Sequence, residues 1–393
     1  MAKFLLITHI FPPAVDGGSK VISKMGDYLQ AQGHQVLVLT TNCSSTDDFV
    51  KTKYHPISHS RQIISLPVIT IFHRPLKLLG KIFPNFKTFS KGPIFSPLSR
   101  ISFLVSCLKF RPDYILAGPL PTTMVLYARF IRYLSTHLFR YSTKLIINAS
   151  FHPSDPDFQT PILLNTLKSA DYLWTLTEAE TNYFHQHLNI PTSKLLLLGN
   201  GIDTNFLSTT QLLNYSTTNL LFIGSFAAHK DIPTLIKAFS KLPSSFTLTL
   251  AGQKTLYFPQ IQKQINSLPS SIKKRIKIIF NFKNNYLSTL LDNCSILISP
   301  STQESFGLVL IEAMARGRVV VAADIPASVE LIKKSQGGLV FKTGNAINLK
   351  NKILKLSSSK KLMNTLSENG FNYVKSNFTW DRISYQLCQK LHI

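Results

Sequence analysis

The sequence is short of cysteine, of acidic residues and of long apolar runs. Its four cysteines are widely spaced and form no C-x-x-C pair, so neither a disulfide framework nor a structural zinc site is predicted and a reducing compartment is expected. No segment reaches the roughly 18 uninterrupted apolar residues that a spanning helix requires. The apolar run near the N-terminus is too short for a signal peptide and lacks a small-residue cleavage site. A cytoplasmic protein, soluble or peripheral on the inner face of a membrane, is therefore expected.

The shortage of acidic residues leaves a strong positive charge. Lys plus Arg total 43 against 19 Asp plus Glu, a net charge of +24, and no acidic residue occurs between Val50 and Pro112. Lysines, arginines and phenylalanines alternate along that stretch, which predicts a contact with an anionic surface. At about 1 kcal/mol per cation, four cations near an anionic leaflet contribute about 4 kcal/mol. The candidate membrane contacts are Arg74, Lys77, Lys81, Phe83 and Lys87.

Two other interpretations of the basic stretch stay open. One is a solvated charged face with its aromatic residues in the core. The other is a nucleic-acid-binding protein, which the isoelectric point of about 9.9 permits. The stretch contains no helix-turn-helix, RNP or zinc pattern, so no nucleic-acid partner is predicted.

Short apolar strands alternate with helical patterns along the whole chain, which is typical of α/β domains with a parallel sheet. One series of strands begins at Lys3 and a second at Asn219. The length of 393 residues allows each series its own core. We expect two Rossmann-like domains, at 1–203 and 204–375, followed by a terminal helical tail at 376–393.

The segment Ser299–Gly317 is the most informative part of the sequence, because two carboxylates eight positions apart flank an apolar helical run. Ser305 is predicted as the N-cap of that helix and Gly317 as its stop. A helix N-terminus attracts phosphate, whereas carboxylates repel it. Glu304 and Glu312 are therefore expected to accept hydrogen bonds from neutral hydroxyls, which a nucleotide-sugar offers on both its ribose and its hexose.

Glu304-x7-Glu312 with Phe306-Gly307 resembles the signature of glycosyltransferase family 4, whose fold is called GT-B: two Rossmann-like domains facing across a cleft. The resemblance extends over nearly the whole chain. Further segments that resemble the family's motifs are Pro12-Pro13 with Gly17-Gly18, Gln32–Val36, Arg111–Asp113, Asn200–Asp203 with Phe206, Gly224 with Lys230-Asp231, and a tail headed by Trp380 that is similar to a helix returning to the first domain.

The resemblance implies roles for individual residues. Glu312 would hold the nucleotide ribose, Glu304 and His152 would lie at the transferred sugar, and Lys230 would neutralise the leaving diphosphate. The first domain would bind the acceptor and the second the donor. Glu304, His152 and Lys230 are the implied catalytic residues, and the implied donor-binding residues are Gly17, Gly18, Asn200, Gly224, Lys230, Ser305, Phe306, Gly307 and Glu312.

The implied activity is a retaining, metal-independent hexosyl transfer without a cofactor. A UDP- or GDP-linked sugar would be the co-substrate, and a hydroxyl of a glycolipid or polysaccharide precursor at the membrane surface, as in lipopolysaccharide biosynthesis, would be the acceptor. No protein nucleophile is assigned.

Departures from the family's pattern leave alternatives. Ser225 stands where the family has an Arg, and Arg318 replaces a usual Pro, so a catalytically impaired relative is one alternative. An epimerase or a phosphorylase with the same fold is another. Asp155-Pro-Asp157 is formally the D-x-D metal motif of a different glycosyltransferase fold, but the duplicated Rossmann pattern contradicts that fold, and no metal ligand is assigned.

Overall fold

A computed structural model describes residues 1–12, 17–41, 62–66, 101–153, 155–208 and 218–393. The chain divides into two compact units, one formed by Met1–Gly199 with Ile383–Ile393 and the other by Asn200–Arg382. The sequence placed the corresponding boundaries at 203 and 375. The candidate membrane contacts Arg74, Lys77, Lys81, Phe83 and Lys87 lie outside the described residues, and so does Pro13 of the first loop.

The first unit contains a parallel sheet of seven described strands in the order β3-β2-β1-β4-β5-β6-β7. The strands are β1 (Lys3–Ile7), β2 (Gln35–Thr41), β3 (Gln62–Leu66), β4 (Tyr114–Ala117), β5 (Lys144–Asn148), β6 (Tyr172–Thr175) and β7 (Leu195–Leu197). The helices are α1 (Gly17–Ala31), α2 (Ile101–Phe110), α3 (Met124–His137), α4 (Pro161–Ser169) and α5 (Glu178–Leu188).

The second unit repeats this architecture with the strand order β10-β9-β8-β11-β12-β13, again all parallel. Its strands are β8 (Thr218–Ile223), β9 (Phe246–Gly252), β10 (Ile276–Phe280), β11 (Ile296–Ser299), β12 (Val319–Ala323) and β13 (Gly338–Phe341). Its helices are α6 (Ile232–Phe239), α7 (Phe258–Asn266), α8 (Ser270–Lys273), α9 (Leu287–Asp292), α10 (Leu308–Ala315), α11 (Pro326–Ser335), α12 (Ala346–Ser357), α13 (Lys360–Asn377) and α14 (Trp380–Leu391). The predicted pair of α/β domains with parallel sheets is confirmed.

The strands are apolar because helices cover both faces of each sheet. All five residues of β12 are buried, and so are four of the five in β1. The first core joins strands β1, β4 and β5 to helices α3 and α4. The second core joins β8, β9, β11 and β12 to α6 and α12. Such burial leaves the loops at the strand ends to carry the polar chemistry.

Two strands were not predicted. β3 pairs in parallel with β2. It lies within the basic, phenylalanine-rich stretch, which was interpreted by its charge and not searched for a strand. β13 starts at Gly338, and the Gly337-Gly338 pair is typical of a turn. A Cβ at Gly338 would stand 2.3 Å from the carbonyl oxygen of Val320, so the glycine permits a close approach between neighbouring strands.

A backbone bridge holds the start of the second unit. The Ile202 N–H donates to the Phe378 carbonyl at 2.7 Å, and the Trp380 N–H donates to the Ile202 carbonyl at 3.1 Å. A Cβ at Gly201 would lie 2.4 Å from Trp380 Cδ2, so only glycine fits under this ring. α14 starts at Trp380, and its residues from Ile383 onward belong to the first unit.

In the first unit the chain's last residues are anchored by polar contacts. The Gln32 side-chain amide donates to Ser384 Oγ at 3.2 Å, and the Tyr114 hydroxyl donates to the Leu391 carbonyl at 3.2 Å. Ile383 and Leu387 are fully buried. Among the described residues, no helix combines the length and apolar character needed to cross a bilayer.

The strand order of each sheet reverses at one point. In the first sheet the reversal lies between β1 and β4, and in the second between β8 and β11. In open α/β sheets, ligands bind at the carboxyl ends of the strands beside such a point. A ligand site in the second unit is therefore expected at the loops that follow β8 and β11.

Candidate active site

The loops after β8 and β11 bring Lys230 and Glu304 together. The Lys230 ammonium forms an ion pair with Glu304 Oε1, although 74 residues separate the two in the chain. Ser301 Oγ donates to the same oxygen at 3.0 Å. The side chains are only 16% and 19% exposed, so water screens this pair less than an ordinary surface pair.

The backbone fastens the two loops to each other independently of the ion pair. The carbonyl of His229 accepts hydrogen bonds from the Thr302 N–H at 2.8 Å and from the Thr302 hydroxyl at 3.1 Å. Asp231 follows in the left-handed conformation, with φ +42°, and precedes the first turn of α6. Lys230 is thus held on a short, fixed turn beside Glu304.

The helix that follows Glu304 starts later than the sequence predicted. Its N-cap is Gly307, with φ +87°, and not Ser305. A left-handed φ at this position costs glycine little, whereas a serine would be strained. The predicted stop is confirmed, since α10 ends at Ala315 and Gly317 follows with φ +65°.

The start of α10 presents backbone donors. The N–H groups of Ser305, Phe306, Gly307, Leu308 and Val309 donate to no acceptor in the described part of the chain. Leu310 is the first residue whose N–H bonds back, to the Gly307 carbonyl at 2.9 Å. Unpaired N–H groups at the positive end of a helix attract an anion such as a phosphate.

Glu312 is the fifth residue of α10 and is half-buried. It stands about 6 Å along the helix axis from Leu308 at 1.5 Å per residue. The sequence placed it two turns inside the helix; it lies closer to the N-terminus because the helix starts at Leu308. Phe306 is 4% exposed and packs edge-on against Phe378, so its ring serves packing and does not face a ligand.

The loop after β8 begins at Gly224, with φ +157°. A Cβ at Gly224 would lie 3.2 Å from Phe222 and 3.7 Å from Lys230 Cε. A Cβ at Gly252 would overlap the Gly224 carbonyl oxygen, at 1.7 Å. The two glycines therefore let the ends of β8 and β9 approach closely. Ser225 comes next and is half-buried, so the loop offers a hydroxyl where the family has a guanidinium.

Asn200 begins the second unit, and its side chain is buried. The amide oxygen has no hydrogen-bond partner within the described residues, although the side chain is only 8% exposed. A buried amide oxygen without a donor costs free energy, and a ligand hydroxyl is one kind of donor that would satisfy it. Farther along, Arg316 holds Phe206 by a hydrogen bond of 3.0 Å to its carbonyl and by a cation–π contact of 5.5 Å.

His152 belongs to the first unit, on the loop after β5. It is half-buried and stands edge-on to Phe158, with ring centroids 5.3 Å apart. The Asp155 N–H donates to the His152 carbonyl at 3.0 Å, so the first residue of the D-x-D motif forms part of this turn. The side chain of Asp157 lies outside the described residues, and no group of potential metal ligands occurs among those described.

Gly17 and Gly18 are also in the first unit. They form the first turn of α1, which the sequence placed after the glycine pair. Residues 13–16, which carry the rest of the first loop, lie outside the described part of the chain.

A buried carboxyl group that was not predicted from the sequence lies beside the loop that carries His152. Glu180 is 6% exposed, and its two oxygens accept the Phe151 N–H at 2.7 Å and the Leu176 N–H at 2.6 Å. Burial raises the pKa of Glu180 to about 7, against the two backbone hydrogen bonds, which lower it. The spacing Thr177-x-x-Glu180 is a capping-box pattern and would have indicated this residue.

A family comparison covers most of the second unit. Residues 209–373 match the model of the family described as glycosyl transferases group 1. Over this segment, which is less than half of the chain, the protein is similar to the group 1 glycosyltransferases. The segment contains Gly224, Lys230, Glu304 and Glu312, so the ion pair and the N–H groups at the start of α10 lie within the matched part.

Curated relatives extend the similarity in part. An uncharacterized glycosyltransferase of Methanocaldococcus jannaschii is 27% identical over 233 residues, which are 55% of this chain and 64% of the relative. The O-antigen chain mannosyltransferase RfbU of Salmonella typhimurium is 24% identical over 172 residues, 44% of this chain and 47% of the relative. The chain therefore spans less than two thirds of the length of these relatives.

Comparison with solved structures shows the fold. HepE of Anabaena, in complex with UDP and glucose, superimposes with a TM-score of 0.71 at 17% identity, and the match covers 100% of both chains. The predicted GT-B fold is confirmed. The chain's membership of family 4 within the GT-B enzymes stays a prediction.

The ion pair generates a prediction about stability. Glu304→Gln or Lys230→Met alone leaves a partly buried charge without its partner, so each should lower the free energy of unfolding by about 1–2 kcal/mol. The double variant should lose less than the sum, since neither charge remains. Urea unfolding measures all four proteins.

The Glu330–Lys334 pair on α11, at 2.9 Å, is the control: the same set of two single variants and one double variant is measured for it. It is an i,i+4 pair on one helix, with its lysine more exposed (35%) than Lys230 (16%), and its coupling should be about 0.5 kcal/mol or less. Additive losses at Lys230 and Glu304, with no coupling beyond the control, would mean that the two side chains do not interact.

Glu180 generates a prediction about pH. Its pKa is raised from 4.5 to about 7 in the folded protein, so the folded state keeps a proton that the unfolded state has lost. The free energy of unfolding should therefore fall as pH rises from 4.5 to 7, by about 3 kcal/mol for this group. Glu180→Gln has no such proton. Urea unfolding between pH 4.5 and 7.5 should show a shallower decline for the variant, and equal slopes would refute the raised pKa.

Proposed function

We propose that the protein is a retaining glycosyltransferase that moves a hexose from a nucleotide-diphosphate sugar to a hydroxyl of a glycolipid or polysaccharide precursor. One observation carries the proposal: within the segment that matches the family, Lys230 and Glu304 meet at the start of a helix whose first N–H groups have no acceptor in the described chain. A cation and helix N–H groups favour a diphosphate, and a carboxylate favours sugar hydroxyls.

In this proposal the donor binds along the start of α10. The diphosphate accepts hydrogen bonds from N–H groups between Ser305 and Val309 and faces Lys230. Glu312 accepts hydrogen bonds from the ribose hydroxyls. Glu304 accepts them from the hexose, since its second oxygen remains after Oε1 has taken Lys230 and Ser301.

Transfer breaks the bond between the anomeric carbon and the diphosphate oxygen, which keeps the electron pair. The acceptor oxygen forms the new bond to the anomeric carbon, and its proton passes to the leaving diphosphate or to solvent. Negative charge grows on the diphosphate during the step, and positioned donors stabilise it more than they stabilise the ground state. Lys230 and the helix N–H groups fill this role in the proposal without a metal, and His152 lies at the sugar.

A catalytically impaired relative is the second candidate, because Ser225 replaces the family's Arg. Lys230 is then the one side chain in the proposal that forms a charge-assisted contact with the diphosphate. An impaired relative would bind a nucleotide-sugar without transferring its hexose, and the two candidates are therefore separated by measuring binding and transfer on the same preparation.

For the acceptor, the proposal draws on RfbU, whose name describes it as an O-antigen chain mannosyltransferase. An acceptor of this class would bring the protein to a membrane. The described residues supply a surface suited to that contact: Phe130, Tyr133, Leu138 and Phe139, which run from the middle of α3 to just beyond its end, are 49–65% exposed. Arg129 and Arg140 are exposed beside them.

The sequence around this surface favours an anionic membrane. Residues 114–154 contain no Asp or Glu, so no acidic residue of this segment repels anionic lipid. Exposed apolar side chains flanked by cations are typical of interfacial binding. We expect the surface at the end of α3 to act together with the basic stretch that contains Lys77 and Lys81.

The activity prediction uses a panel of UDP-, GDP- and ADP-sugars. One donor should raise the melting temperature, because a ligand that binds only the folded state stabilises it, and that donor should support transfer with retained anomeric configuration. Glu304→Gln and Lys230→Ala should each lower the rate at least about 100-fold. Product analysis by NMR reads both the rate and the anomer.

Lys237→Ala removes the same charge from an exposed position on α6 and should leave the rate unchanged. Full turnover in both site variants would contradict the assignment of the site. Donor binding by the wild type without transfer to any lipid-linked saccharide would favour the impaired relative.

The membrane prediction uses the surface at the end of α3. Replacing Phe130, Leu138 and Phe139 by Ser should reduce co-sedimentation with phosphatidylglycerol vesicles several-fold, because each change removes apolar area from the interface. Leu256→Ser, which alters a fully exposed leucine of the second unit, should not. Equal sedimentation of the triple variant and the wild type would exclude this surface.

A further inference from the structure

We propose that Glu180 is a positioning residue for sugar transfer: by holding the loop after β5, its carboxyl group fixes the place of His152. This inference rests on the proposed function, in which His152 lies at the transferred sugar. It concerns a residue that contacts no substrate and acts through the backbone of its neighbour.

The loop that carries His152 adopts a conformation that needs support. Ser150 has φ +43°, a left-handed value that is unfavourable for a non-glycine residue. Contacts on both sides hold it there. Ser150 Oγ donates to Asn148 Oδ1 at 2.9 Å, and the next residue, Phe151, donates its N–H to Glu180 Oε1 at 2.7 Å. Removing the second contact frees the peptide that leads directly into His152.

The same carboxyl group is tied to two other elements. Its second oxygen accepts the Leu176 N–H at the end of β6, at 2.6 Å. The backbone N–H of Glu180 donates to the Thr177 hydroxyl, which caps α5, at 3.1 Å. One side chain thus joins the loop after β5 to the end of the neighbouring strand and to the first turn of a helix.

Aromatic packing sets which part of the loop can move. The Phe151 ring contacts Phe158, Phe184 and Tyr183, with centroids 5.2–5.5 Å apart. That ring is therefore held by its own contacts, whereas the carboxyl group holds the backbone N–H that leads into His152. The His152 ring stands edge-on to Phe158 of this cluster.

Burying the carboxyl group of Glu180 costs free energy of folding. Glu180 is 6% exposed and forms no ion pair within the described residues. Its partners are backbone N–H groups, and the causes of its shifted pKa include no charged side chain. A residue needed only to cap α5 would not have to be buried so deeply, since Thr177 already accepts the N–H of the third residue of that helix.

Asp171 is a matched control in the same unit. Its carboxylate also accepts a backbone N–H, that of Leu145 at 2.8 Å. Asp171 directly precedes β6 and contacts the first residues of β5, at the amino ends of the strands. His152 follows the carboxyl end of β5. Asp171→Asn should therefore alter stability without altering the chemical step.

The experiment measures transfer and donor affinity for Glu180→Gln, Asp171→Asn and the wild type. Glu180→Gln keeps the side-chain size but replaces one acceptor oxygen by a donor. We expect kcat to fall about 10- to 100-fold, since small displacements of a positioned group cost that much, while the Kd of the nucleotide for the second unit stays unchanged. Asp171→Asn should keep the wild-type kcat.

A double variant tests whether Glu180 acts through His152. In a His152→Ala background, Glu180→Gln should cause little further loss. Additive losses in the double variant, or an unchanged kcat in the single one, would overturn the inference. Should Glu180→Gln fail to fold, Glu180→Asp is the substitute, because it keeps the carboxyl group but is too short to reach both N–H groups.

An activity-independent readout separates this inference from the proposed function. The NMR signals of the His152 ring should shift in Glu180→Gln and remain in place in Asp171→Asn. A wild type without transfer activity would contradict the proposed function and leave this readout valid. Unchanged His152 signals in Glu180→Gln would contradict the inference whatever the activity.

Discussion

The contact between Lys230 and Glu304 depends on the order of the strands in the second sheet. β8 and β11 are neighbours although β9 and β10 lie between them in the chain. Their carboxyl ends therefore meet at one edge, and the loops that follow bring a cation and a carboxylate into an ion pair. Without that adjacency, neither the paired side chains nor the exposed start of α10 would form a single site.

The chemistry of the site follows from what that edge presents. N–H groups without acceptors favour negative charge, and so does Lys230. Glu304 and Glu312 oppose it, so they suit neutral hydroxyls on either side of a diphosphate. The fold supplies the tight turns for this arrangement with glycines: Gly224 and Gly252 permit the close approach of two strand ends, and Gly307 turns the chain into α10.

Much of the fold could be predicted, because buried parallel strands are apolar runs with recognisable helices between them. The start of α10 could not, because Ser305 and Gly307 both suit an N-cap and only the backbone decides between them. β13 begins with a glycine pair that is typical of a turn, and the contact with Val320 that explains it is distant in sequence.

In the candidate site, too, some features could be predicted from the sequence and others could not. Lys230 and Glu304 were predicted separately, from motifs, and the strand order then explains why they touch. Glu180 was missed because its role depends on the backbone of Phe151, on the loop after another strand. Sequence motifs identify side chains that can take part in binding or catalysis. The contacts that hold these side chains in place arise from tertiary packing.

The central claim is that the start of α10 binds the diphosphate of a nucleotide. The most direct measurement is an NMR titration of the backbone amides with UDP, GDP and ADP, each compared with its nucleoside. The account predicts that amides between Ser305 and Val309 shift with one nucleoside diphosphate and much less with the matching nucleoside. Amides in this segment that respond to none of the three diphosphates would contradict the account.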